Sequence, residues 1–135
     1  MSETTKSRPE FRNIHVLDIA RYRLPLSGLI SILHRISGAL LFLLLPFTLY
    51  LLDNSLLSET TFDHFKEITS QWWVKLIVLG LAWAYLHHFC AGIRHLLMDV
   101  HVCIEKDSAR HSSIAVFAVS LPLAACVALK LFGVF

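Results

Sequence analysis

The sequence predicts an all-α integral membrane protein with three transmembrane helices, and three observations carry that expectation. Of 135 residues, 56% are hydrophobic and only 16% charged, more apolar surface than a water-soluble domain of this size can cover. The apolar residues gather into three spans, about residues 24–52, 72–98 and 114–134, each near or above the ~20 residues a helix needs to cross the hydrocarbon. Lipid offers a backbone no hydrogen-bond partners and three segments cannot close a barrel, so helices are required.

Taken in order, residues 1–23 form a polar N-terminal tail and residues 24–135 the membrane domain. Lys6, Arg8, Arg12, Arg21 and Arg23 stand before the first span and Arg35 in its first half, the placement expected of cytoplasmic juxtamembrane charge rather than of a nucleic-acid surface. About twenty polar or mixed residues precede the first span, and Glu3, Glu10 and Asp18 lie among them. That is neither a cleaved signal nor a transit peptide, and Met1 is expected to begin a mature bacterial-type chain. Helix one carries Gly28, Gly38 and Pro46; the connection after it sets Asp53, Glu59, Asp63 and Glu67 against Lys66 alone and reads as amphipathic, with no fixed structure assigned to it. Trp72 and Trp73 open helix two as an interfacial anchor. The second connection, 99–113, is basic through Lys106 and Arg110 and follows Arg94, and helix three contains Pro122. The loop charges place the N-terminus in the cytoplasm and the C-terminus in the periplasm of a bacterial inner membrane. Cys90, Cys103 and Cys126 are spaced too widely for a CxxC pair or an iron–sulfur cluster within this chain and read as small apolar residues.

The chemistry lies in polar residues inside the spans. A charge at mid-bilayer costs roughly 2.5–3.5 kcal/mol even on the gentler scale, yet "SILHRISGALLFLLLP" opens with a histidine and an arginine. Positions i, i+3, i+4 and i+7 share a helix face, so Ser31, His34, Arg35 and Gly38 form one stripe. Two readings are open: Arg35 snorkels to headgroups beside an interfacial His34, or the stripe grips a ligand. In helix two, "AYLHHFCAGIRHLLMD" places His88, Gly92, His95 and Asp99 on one face, with Gly80, Ala84 and Ala91 beside them. An imidazole among small residues suits a flat iron macrocycle laid against the helix, and it equally suits a polar helix–helix contact. His87 points about 100° from His88 and reads as interfacial or structural. His95 and Asp99 form an i,i+4 pair, structural or functional alike. One axial ligand is apparent; a second imidazole would come from His34 or from a partner subunit, and the short chain favours a partner.

The two stripes together resemble the cytochrome b membrane-anchor subunits of succinate dehydrogenase, respiratory complex II. The resemblance runs through Arg8-Pro9, "RYRLPLSGLISILHRISG", "HFCAGIRHLLMD" and a closing third helix. After Pro9, many relatives continue Ser-Pro-His-Leu where this chain has Glu10-Phe11-Arg12-Asn13, and no role is carried to that region. The resemblance implies that His88 is an axial ligand of haem b, with the other imidazole supplied by a second small membrane-anchor subunit. It implies that Ser31 and Arg35 line a ubiquinone pocket near the iron–sulfur subunit, and that His34, Arg35 and His95 approach the haem propionates. Electrons from succinate would arrive through the flavoprotein and iron–sulfur subunits, so this chain is a subunit of an oxidoreductase with no catalytic residue acting alone. A fumarate reductase anchor and a haem-free structural anchor stand as alternatives; a transporter is disfavoured by the absence of paired repeats.

Overall fold

The computed structural model describes residues 16–134; the expected basic tail through Lys6, Arg8 and Arg12, with the Arg8-Pro9 match, lies outside the described residues. These comprise five helices and no strand: α1 Val16–Arg21, α2 Leu26–Leu57, α3 Glu59–Ser70, α4 Trp72–Asp99 and α5 Lys106–Leu131. Three of them, α2, α4 and α5, are long and apolar enough to cross a membrane, as the spans predict.

The helices overrun the apolar spans where polar residues sit. Helix one continues to Leu57 rather than ending at 52, and helix three starts at Lys106 rather than 114, about two turns earlier. Hydropathy marks the hydrocarbon boundary, while a helix continues into the headgroup region for as long as its residues tolerate helical geometry. The first connection is itself helical. Ser58 ends α2 and caps α3, with Thr61 N–H donating to Ser58 Oγ (3.2 Å) and Ser58 N–H donating to Thr61 Oγ1 (3.1 Å), a reciprocal box that satisfies two otherwise free donors. Pro46 and Pro122 are accommodated inside α2 and α5.

The hydrophobic order of a soluble protein is reversed. Phe42, Leu43 and Phe47 are exposed, as befits residues that face acyl chains, while the centre of the bundle is small and polar. Ile30 and Ser37 of α2, Ala84, His87, Ala91 and Arg94 of α4, and Ser113, Val116, Ser120 and Ala124 of α5 are the buried residues. Their spacing of three, four or seven marks one face per helix. Small side chains let the backbones approach, which is how helices associate where lipid is as apolar as leucine. The Ser113 hydroxyl donates to its own helix at Ala109 O (2.7 Å), so its burial leaves no free donor.

Both long hairpin ends close by the same device. At the end of α4, Val102 N–H donates to Leu97 O and His101 N–H to Met98 O, with His101 at φ 64; at the end of α5, Val134 N–H donates to Leu129 O and Gly133 N–H to Lys130 O, with Gly133 at φ 76. This is the left-handed cap that satisfies a helix's last carbonyls, made once with glycine and once with histidine.

Candidate functional site: an imidazole cluster between α2 and α4

The seam between α2 and α4 is built around His88. Its Nδ1 lies 3.1 Å from His34 O and 3.2 Å from Ser37 Oγ, and Ser37 Oγ donates to His34 O at 3.0 Å. The serine proton is thus committed, and both neighbours of Nδ1 can only accept. This network assigns the proton of His88 to Nδ1 and leaves Nε2 with its lone pair. A histidine held by one nitrogen on a backbone carbonyl, with the other free, is the arrangement that orients metal-ligating imidazoles.

Gly38 makes the contact possible. A Cβ there would stand 2.7 Å from Cε1 of His88, closer than any real carbon contact, so no larger residue admits the ring. The His34 ring stacks on His88 with centroids 4.2 Å apart and planes inclined by 10°, and His95 meets His34 at 4.9 Å, tilted by 44°. At Gly92 a Cβ would stand an ordinary 3.6 Å from His34 Nε2, so this glycine eases the packing without being demanded by it. Among the described residues no three His, Cys, Asp or Glu side chains are grouped to hold a metal ion. What the cluster offers an iron is single ligation from His88 Nε2, and in that respect the residues fit a haem shared with a second chain.

The structure separates residues that the sequence stripe groups together. His34 and Gly38 meet α4, whereas Arg35 is exposed and Ser31 half-buried; neither side chain makes a hydrogen bond to the described residues. Ser37, about 60° round α2 from His34, is the member that the stripe missed. It is buried beside Ile30 on the same face, and the signal for it was the small polar residue one turn after His34. His95 and Asp99 make no hydrogen bond to each other, and Asp99 is exposed. A cavity of 490 Å³ opens where α2 and α5 begin, lined by Pro25, Ser27, Ile104, Lys106 and Arg110 among others; Ser31 and Arg35 are not in its wall.

His87 faces elsewhere, as its register requires. It is 1% exposed, its ring lies between Trp83 and Phe117 at 5.5 Å from each, and neither of its nitrogens has a hydrogen-bond partner among the described residues. Arg94 is likewise turned from the cluster: 4% exposed, it donates through Nε to Ser112 Oγ (3.0 Å) and through Nη2 to Ala109 O (3.5 Å). Its partners among the described residues are on α5.

Three helices long and apolar enough to span, with an imidazole cluster between two of them, fit a multi-pass membrane-anchor protein. The chain belongs to the family of succinate dehydrogenase/fumarate reductase transmembrane subunits, whose model matches residues 5–127, in agreement with the resemblance drawn from the two motifs. Among its relatives, the succinate dehydrogenase cytochrome b556 subunit of Coxiella burnetii is 39% identical over 77% of this chain and 84% of that one. That of Paracoccus denitrificans is 34% identical over 76% and 79%, and that of Rickettsia felis 29% over 71% and 76%. A member of this family is part of an oxidoreductase complex and is not catalytic alone.

Proposed function

We propose that this chain is the anchor through which a succinate:ubiquinone oxidoreductase delivers electrons to the membrane quinone pool. The observation that carries the reading is the fixed orientation of His88, with Nδ1 on the His34 carbonyl, Nε2 free, and the ring seated on Gly38. His88 would hold haem b from one side, with a companion anchor subunit supplying the other ligand, and His34, Arg35 and His95 would stand toward the propionates. When bound, haem b supplies a one-electron redox centre next to the quinone site. Ser31 would donate its hydroxyl proton to a quinone carbonyl. The guanidinium of Arg35 would stabilise the negative charge that develops on the ring oxygen as electrons arrive, a fixed cation aimed at a transition state. The exposure of Arg35 and the hydroxyl of Ser31 support this reading, since neither side chain has a hydrogen-bond partner among the described residues and both are available to a ligand at a subunit boundary.

The partners in this proposal are the companion anchor, the iron–sulfur subunit docked over Ser31 and Arg35, and the flavoprotein beyond it. The membrane is the bacterial inner membrane. The end where α2 and α5 begin carries Arg21, Arg23, Arg35, Arg94, Lys106 and Arg110, and the opposite end carries the acidic α3; positive charge inside puts the first end in the cytoplasm and the C-terminus in the periplasm. The names of the relatives favour succinate oxidation over fumarate reduction as the net direction. Arg35→Ala in the complex purified through a tag on this chain should lower quinone reduction by about 100-fold, the order of one lost charge-stabilising donor, while the b-type absorbance stays. Loss of absorbance and assembly together with activity would make Arg35 structural and would overturn its role at the quinone.

A further inference from the structure

Arg94 poses a question that the imidazole cluster does not answer. The side chain is 4% exposed inside a membrane-spanning helix, and no carboxylate pairs with it among the described residues. Of the five N–H donors of a guanidinium, its Nε and one on Nη2 reach Ser112 and Ala109 O, and Nη1 has no acceptor among the described residues. A buried cation held on one side only is costly in a bilayer unless something anionic completes its shell.

The same side chain forms part of a groove of 240 Å³ between α4 and α5, whose other walls include Ile93, Leu97, Ala115 and Val119 with Ser112 beside the arginine. Ile93, Leu97 and Val119 are exposed, so the groove opens toward the surroundings of the bundle. At 100° per residue its α4 wall is centred about 190° from His88, on the side of the helix away from the imidazole cluster. Arg94 lies five residues before the end of α4 at Asp99, and Ser112 six after the start of α5 at Lys106. These separations are about 7.5 Å and 9 Å along the helices, a depth near the headgroup region at one face of the bilayer. One cation at that depth below an apolar trough matches one molecule: a phosphate at the level of the arginine and an acyl chain along Ile93, Ala115 and Val119.

We propose that Arg94, whose Nε is held on Ser112 Oγ while the Ser112 hydroxyl donates to Ala109 O, binds the phosphate of an anionic glycerophospholipid whose acyl chain fills the α4–α5 groove. The site is independent of the quinone reading. It completes the arginine's hydrogen bonding with charge-assisted bonds, and it ties a lipid to α4 and α5.

The test is lipid retention by the complex purified through a tag on this chain, exchanged into micelles containing phosphatidylglycerol and phosphatidylcholine and weighed intact by native mass spectrometry. Wild type should keep phosphatidylglycerol in preference to phosphatidylcholine. Arg94→Gln should lower that retention by about five-fold, the share of one basic side chain near an anionic lipid, with the visible spectrum and quinone reductase activity retained. Ala115→Trp, which fills the trough and leaves Arg94 in place, should do the same and decides the matter if Arg94→Gln fails to assemble. Undiminished retention in an assembled Arg94→Gln complex or in Ala115→Trp, equal retention of phosphatidylcholine, or protection by inorganic phosphate alone equal to that by the lipid would overturn the proposal. So would a partner helix cross-linked over Ile93 and Val119.

Discussion

One helix, α4, presents two polar faces, and they are made differently. Toward α5 its histidine is tightly enclosed: His87 is almost wholly buried, and it stands on the same face as Ala84 and Ala91. Toward α2 it offers His88 and His95, half-buried, with Nε2 of His88 uncommitted and Arg35 open nearby. A polar residue that only joins helices is sealed and surrounded by small neighbours. One that serves a ligand is anchored at one atom and left open at another. On the proposed reading this difference separates structure from function on a single helix, and four substitutions test it.

Gly38→Leu should have the largest effect. Its Cβ alone would come within 2.7 Å of the His88 ring, so the imidazole must leave the seam; the reduced-minus-oxidised b band should vanish and the thermal midpoint fall, with an overpacking cost of about 1–3 kcal/mol. Next is Ser37→Ala, which removes one acceptor at His88 Nδ1 and keeps His34 O. About 1 kcal/mol of stability should go, and the b band should shift without being lost; an unchanged band would mean that Ser37 does not tune the ligand. On the other face, Ser113→Ala should be tolerated to within about 1 kcal/mol, because that hydroxyl serves only its own helix and the smaller side chain does not force the helices apart; a chemical melt of the complex checks this. Smallest is His101→Gly. The left-handed cap at φ 64 strains any residue with a Cβ, so glycine should raise stability by about 1 kcal/mol, leaving activity and spectrum alone.

Much of this architecture was legible in the sequence because lipid restricts the choices. Apolar runs long enough to span, with no alternative to helices, define α2, α4 and α5 before any packing is known. The start of α5 at Lys106 and the helical character of residues 59–70 were not legible by hydropathy, since both lie outside the hydrocarbon; the Ser58 and Thr61 box was the available cue for α3. Within the site, periodicity puts His88 and His95 on one face and His87 on another, because the 100° step between successive residues is fixed. The centre of the α2 face was harder to find. Ser31 and Arg35 share a stripe with His34, but the contact with α4 runs through His34, Ser37 and Gly38, a rotation that depends on where Ile30 is buried. Arg94 was unreadable for the same reason: its partner Ser112 lies in a second helix whose register only packing sets.

The central claim is that His88, and not its neighbour His87, presents a free imidazole nitrogen to a ligand. Reduced-minus-oxidised visible spectra of membranes carrying His88→Leu and His87→Leu in the assembled complex test it most directly. Loss of the low-spin b band is expected in the first and its retention in the second, with the His87 variant as stable as wild type or more so by about 1–3 kcal/mol, because a buried imidazole with no hydrogen-bond partner among the described residues is removed. A band that survives His88→Leu and disappears with His87→Leu would contradict it.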